Sequence, residues 1–229
     1  MILNEKYATM LNNDLLQFLQ ELKENNNKEW FDVNRKRYQG LRANFLDFVS
    51  LLIMELGKID PSVQYNEAKN CVFRINRDIR FSPDKSPYKT NIGAYIAPGG
   101  KNIMRPGYYL HIEPSGCFAA GGMYMPPSTE LKAIRTEIFE NPGEYLSIIQ
   151  DKEFKKVFGT VDEEQKLKTA PKDFPKDDPN IELIKLKSYT VSCPVDEKLL
   201  FSENAMPQLM KYYRTMVPFI RFLTGALES

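Results

Sequence analysis

The stretch from Gly107 to Tyr124 reads GYYLHIEPSGCFAAGGMY: two short runs rich in aromatic and apolar residues around Pro114-Ser115-Gly116. Proline fixes φ and glycine accepts positive φ, so these three residues turn the chain back on itself. Parallel neighbours need a crossover of a dozen or more residues, so the two runs, Gly107 to Glu113 and Cys117 to Tyr124, pair antiparallel. Upstream, Lys89 to Ala97 has the same character and ends at the turn Pro98-Gly99-Gly100-Lys101. Cys71 to Phe81 alternates polar and apolar residues before it. The spacing predicts a four-stranded antiparallel meander over about 71–124, which excludes a Rossmann-like parallel sheet in this segment.

Helices flank the meander. Leu15, Phe18, Leu19 and Leu22 repeat at the spacing of one helical face, and Asn25-Asn26-Asn27 stops them. Asn26 with Glu29 has the form of a capping box opening a longer helix, with Trp30, Tyr38, Leu41, Phe45, Phe48, Leu52 and Leu56 as its stripe and Gly57 as its stop. Trp30 and Phe31 are read as helix-to-sheet packing. Gly40 inside that helix weakens it by about 1 kcal/mol relative to alanine. After Pro126-Pro127, Ser128 is the expected N-cap of another helix, and Asn141-Pro142-Gly143-Glu144 combines a capping box with proline at the first helical position. Asp151 to Phe158 reads as a short helix, Thr160 to Asn180 as a long surface excursion, Leu183 to Cys193 as a strand, and about Glu203 to Leu223 as a final amphipathic helix. The expected fold is α+β: an antiparallel meander plus a later strand, packed against N-terminal and C-terminal helices in one domain over 1–229.

Composition narrows the function. With 31 Lys+Arg against 30 Asp+Glu in 229 residues, the chain carries no bulk charge for DNA or an anionic membrane. Met1 to Met10 lacks the basic region and apolar run of a secretory signal, and the most apolar run, Phe48 to Leu56, is too short to span a bilayer. The reading is cytoplasmic, with no membrane partner. Cys71, Cys117 and Cys193 are widely spaced and read as reduced, small apolar residues. A single His111 and the absence of C-x-x-C spacing lead to the expectation of no metal and no cofactor.

The chemistry concentrates in Arg74 to Lys89, RINRDIRFSPDKSPYK, where five cations (Arg74, Arg77, Arg80, Lys85, Lys89) meet two anions (Asp78, Asp84) in a chain of net charge +1. In a strand, Arg74, Asn76, Asp78 and Arg80 share one face, and Arg77 falls among the apolar residues. Guanidinium forks suit phosphate or carboxylate oxygens, so Arg74, Arg77 and Arg80 are candidate ligand-binding residues, with Lys85 and Lys89 closing over the ligand. Asp78, His111 and Glu113 are the candidate catalytic residues for proton transfer if the protein is an enzyme. Gly121-Gly122 leaves room for a ligand or another backbone to approach. Three readings stay open: a small anionic ligand, a docking face for nucleic acid or protein, and a purely structural salt-bridge network. The basic stretch is short and lacks interleaved exposed aromatic residues, which weighs against nucleic acid.

Asn25-Asn26-Asn27-Lys28-Glu29-Trp30-Phe31, the Arg74 to Lys89 segment, Tyr109-x-His111 with Gly121-Gly122, and Pro171 through Lys187 together resemble a family of conserved hypothetical proteins from bacteria and fungi, domain of unknown function family 2461. The likeness spans about Leu15 to Leu223, and its central motif is R-x-x-R-D-x-R-F-S-x-D-K-x-P-Y-K. Asp173 and Asp178-Pro179 depart from the family's third motif, where glycine and then His-Pro are expected. The resemblance implies one α+β domain with a shared site on the Arg-rich segment, and it implies no particular activity, substrate or cofactor.

Overall fold

The computed structural model describes residues 10–228, so the reading of Met1 to Met10 falls almost wholly outside the described residues. Two helices open the described chain, α1 (Asp14–Glu24) and α2 (Lys28–Gly57), and α2 runs unbroken through Gly40. Phe18 and Leu22 of α1 are buried with Phe31, Phe45 and Leu52 of α2. Across this hairpin Arg37 grips Asp14 at 2.5 and 2.8 Å and Glu21 at 2.5 Å.

The cap of α2 differs from the expected one by a residue. Asn27, not Asn26, accepts the Trp30 N–H at 2.9 Å. Asn26 is engaged elsewhere: its amide donates to the Tyr88 carbonyl at 2.9 Å and its oxygen accepts the Tyr88 N–H at 3.0 Å. Farther on, α4 (Ser128–Glu140) starts at Ser128 with Pro127 as its cap, and α5 (Pro142–Ile149) has the expected proline in its first turn. The Asn141 amide turns back to Glu137 at 2.8 Å, so the capping box does not form. Between α2 and α4 lies α3 (Ala68–Cys71); beyond them follow α6 (Lys152–Phe158), α7 (Ile181–Ile184), α8 (Glu197–Leu200) and α9 (Ala205–Gly225).

The sheet is antiparallel throughout and ordered β1 (Ile92–Ile96), β2 (Gly107–Ile112), β3 (Phe118–Met123) and β4 (Tyr189–Pro194). Three strands of the expected meander form, and the late strand completes the sheet beside β3. The first expected strand, Cys71 to Phe81, does not form. Cys71 ends α3, and beyond it only the isolated bridges Val72 to Ala94 and Asn76 to Tyr88 remain. Residues 72–89 instead fold back as an irregular ribbon, held by Arg77 N–H to the Pro87 carbonyl at 2.9 Å and Lys89 N–H to the Ile75 carbonyl at 2.8 Å. Pro83 and Pro87 have no N–H to give to a ladder, so pairing there is interrupted. The late strand is shorter than expected because Ile181–Ile184 coils into α7; a short apolar run has no periodicity to distinguish the two.

Alternation gives the sheet two faces. Ala94, Leu110, Ala119 and Val191 point into the core with α9, where Tyr213, Met216 and Phe219 are also fully buried. A side chain at Gly121 would sit 2.8 Å from the Met216 sulfur, so its absence lets α9 close on β3. Gly122 has φ +120° and admits the β4 backbone; a Cβ there would meet the Tyr189 carbonyl at 2.1 Å. The glycine pair therefore accommodates protein on both sides. Tyr95, Tyr109, His111, Phe118, Thr190 and Ser192 occupy the opposite face, which no helix of the core layer covers.

Two outcomes test these contacts. Arg37 holds the carboxyls of Asp14 and Glu21 below their ordinary values of 3.8 and 4.5 by hydrogen bonding. A depressed carboxyl stabilises the fold above its unfolded pKa and loses that effect as pH falls through its folded value. Urea melts at about pH 7 and about pH 3 should show a smaller loss of stability at low pH in Arg37→Met than in the parent; an unchanged difference refutes the role. Asn26→Ala strands both backbone groups of Tyr88 and should cost about 1–3 kcal/mol in chemical denaturation.

Candidate functional site

The five cations of the 72–89 ribbon divide into two kinds. Arg77 reaches the Asp84 carboxylate, the Ser86 carbonyl at 3.1 Å and the Ser82 hydroxyl at 3.3 Å. Asp84 also accepts the Ser86 N–H and hydroxyl, and these bonds, with Arg77, hold its carboxyl at about 2. Arg80 donates to Asp78 at 2.9 and 2.7 Å in a two-pronged pair, and Lys85 donates to the Ile79 carbonyl at 3.0 Å. Arg77, Arg80, Lys85 and Asp78 thus shape the loop they belong to.

Arg74 and Lys89 are different. Among the described residues neither side chain forms an ion pair, and Arg74 makes no hydrogen bond; the Asp78 carboxylate, bound to Arg80, is near enough only for the Arg74 charge to lower its pKa slightly. The Lys89 ammonium lies 5.2 Å from the centre of the Phe73 ring. Burial lowers its pKa, and the adjacent Arg74 charge lowers it further.

Lys89 borders two cavities. The first, of about 570 Å³, lies over the open face of the sheet. Tyr95, Tyr109, Phe118, Ala120, Thr190 and Ser192 form its floor, with Phe73 and Lys89 on one side and Lys101, Met104 and Arg105 of the β1–β2 connection on another. Asp162, Glu164 and Gln165, from the segment after α6, add a polar side. The second is a groove of about 640 Å³ between α2 and the ribbon, lined in part by Arg35, Tyr38, Arg42, Lys69 and Arg74. Phe73, Lys89 and Lys101 belong to both.

His111 and Glu113 stand together beside the floor on the same face of the sheet, apart from Asp78 and Arg80, which border neither cavity. The Tyr109 hydroxyl is 2.9 Å from His111 Nδ1, and His111 Nε2 is 3.2 Å from the Glu113 carboxylate. A carboxylate only accepts, so Nε2 carries a hydrogen; with that tautomer Nδ1 accepts from the Tyr109 hydroxyl. Thr90 donates to the other Glu113 oxygen at 3.0 Å, and His111 stacks on Phe118 with ring centres 4.6 Å apart. Gly93 makes this row possible: a Cβ there would lie 2.6 Å from the Tyr109 hydroxyl. Burial, and then the Glu113 charge, push the Tyr109 phenol up to about 12.

Asp162 was not legible as a site residue, because its loop has no period. Its N–H donates to the Thr190 carbonyl at 2.8 Å, and Ser192 donates to its carboxylate at 3.3 Å. Burial raises its pKa, against the lowering effect of Thr190 and Ser192. Lys101 and Arg105 were also missed; their signal was two cations beside the Pro98-Gly99-Gly100 turn, which reads first as a hairpin. Among the described residues no group of three or more His, Cys, Asp or Glu side chains is placed to hold a metal ion. No described helix is long and apolar enough to cross a membrane.

No curated protein and no solved structure matches this chain. A family match covers residues 14–222, from the first residue of α1 into α9, and takes in the ribbon and the sheet around both cavities. The chain belongs to the conserved hypothetical protein family DUF2461.

Proposed function

We propose that this protein, as a single cytoplasmic α+β domain, binds a small ligand bearing a phosphate or carboxylate group, and that Lys89 and Arg74 receive that group. The observation that carries the reading is their pairing state. Arg77 and Arg80 are ion-paired with carboxylates, whereas neither Arg74 nor Lys89 forms an ion pair: Arg74 has only the more distant charge of Asp78, which is itself bound to Arg80, and the Arg74 charge lowers the pKa of Lys89. Two like charges held together raise each other's energy, and an anion bound by both relieves it. Charge-assisted hydrogen bonds to phosphate or carboxylate oxygens are the strong ones, and a cavity of about 570 Å³ is of the size small ligands occupy. Three free, buried cysteines agree with a reducing compartment.

The floor also holds what proton transfer requires. With its phenol pushed up to about 12, Tyr109 keeps its hydrogen at neutral pH; a proton accepted from a ligand by the Tyr109 oxygen is balanced as the Tyr109 hydrogen passes to His111 Nδ1 and the Nε2 hydrogen passes to Glu113. Asp78, bound to Arg80 on the exposed loop, takes no part in this arrangement.

A thermal-shift screen of phosphorylated metabolites and dicarboxylates, followed by titration calorimetry on the hit, tests the reading. Lys89→Met keeps the aliphatic stem on Phe73 and should weaken binding by about tenfold or more, the effect of one charge-assisted bond. Arg80→Ala should leave the affinity unchanged. Undiminished binding by Lys89→Met, in a protein that melts like the parent, overturns the proposal.

A further inference from the structure

The groove between α2 and the ribbon has more positive charge than one carboxylate or monophosphate balances. Its lining presents Arg35, Arg42, Lys69, Arg74, Lys89 and Lys101, and no carboxylate. Asp32 pairs with Arg35 and Glu67 with Lys69 from outside the lining. The other four cations form no ion pair among the described residues, and Arg74 has only the more distant charge of Asp78, which Arg80 already holds. Arg42 engages the Tyr38 hydroxyl, Lys101 donates to the Asn70 carbonyl at 3.1 Å, Lys89 has only the Phe73 ring, and Arg74 has no bond. Four such charges facing one groove, in a chain of net charge +1, are a local concentration that a polyanion fits.

The cavity over the sheet asks for something else. Its aromatic floor offers Tyr109 and Phe118, and its polar side places the Asp162 carboxylate, braced by Ser192, where it accepts N–H donors. These are the features that bind a planar heteroaromatic ring. The two spaces meet at Phe73, Lys89 and Lys101.

We infer that the ligand is a nucleoside di- or triphosphate, with its base over the sheet and its phosphate chain passing Lys89 into the groove. The inference rests on the anion-binding reading above and names its substrate class. A terminal phosphate carries about two negative charges near neutral pH, and each inner one adds about one more, which matches the four unpaired cations. A nucleic-acid strand fits less well. Strand binders stack successive bases on free aromatic faces, whereas the groove's Phe31 and Tyr88 are stacked on each other at 4.0 Å and buried.

Titration calorimetry of the full chain with AMP, ADP, ATP, inorganic tripolyphosphate and a short oligothymidylate tests the inference. Affinity should rise by about tenfold or more from AMP to ATP, and tripolyphosphate should bind at least about tenfold more weakly than ATP. Arg42→Met should remove the gain from AMP to ATP and leave AMP binding unchanged. If that variant melts early, Arg74→Met, at an exposed position on the groove, should weaken ATP more than AMP. Asp162→Asn should weaken all three nucleotides and spare tripolyphosphate. Equal affinities for AMP and ATP, or tripolyphosphate binding as tightly as ATP, overturn the inference. So does an oligothymidylate that outcompetes ATP with a steep salt dependence. A carboxylate or monophosphate that binds through Lys89 when no nucleotide does leaves the anion-binding reading standing alone; binding of every probe that ignores Lys89→Met removes both.

Discussion

One side chain, Asn26, gives the ribbon its place. Its amide satisfies the N–H and the C=O of Tyr88 together, as a neighbouring strand does, across 62 residues of chain. The Tyr88 ring then lies flat on Phe31, ring centres 4.0 Å apart, so the turn between α1 and α2 becomes the dock for a segment that has no ladder of its own. Lys89 follows directly, and both cavities are built around the position this dock gives it.

Around that dock the charged residues separate by task. Within eight residues Arg77, Arg80 and Lys85 each find an acceptor on the same loop, which costs little chain entropy because the partners are already close. Exposed Arg74 and half-buried Lys89, at the base of the ribbon, form no such bond to a local acceptor. The ion pairs of the ribbon therefore gather at its tip, and its base forms none. Proximity in sequence is a poor guide to which is which, since a carboxylate two or seven positions away decides it.

Much of the fold was legible. The three-residue turn at Pro114-Ser115-Gly116 gave β2 and β3 their antiparallel pairing, and the helical stripes gave α1, α2 and α9 nearly to their ends. The failures have physical causes. Cys71 to Phe81 alternates like a strand, but alternation records only which side is wet, and prolines on the return segment deny it a continuous partner. Asn26 looked like a cap because three consecutive asparagines offer the same chemistry, and only tertiary contact with Tyr88 selects Asn27 for that task. At the site, Tyr109, His111 and Glu113 were visible as one face of a strand. Asp162 was not, because a long excursion without period carries no record of which strand it lies against.

The ribbon's attachment has a mechanical consequence. One isolated bridge, Val72 to Ala94, the Phe73 N–H bond to the Gly93 carbonyl and the Asn26–Tyr88 pair join residues 72–89 to the rest, so this segment opens at lower cost than the sheet it leans on. Phe73 and Lys89 are a wall common to two spaces, and a wall that yields transmits pressure. A shift that widens the space over the sheet narrows the groove beside α2, and filling one changes the shape offered by the other. The two compartments share that wall, and Tyr88, held by Asn26 beside Lys89, is its anchored end.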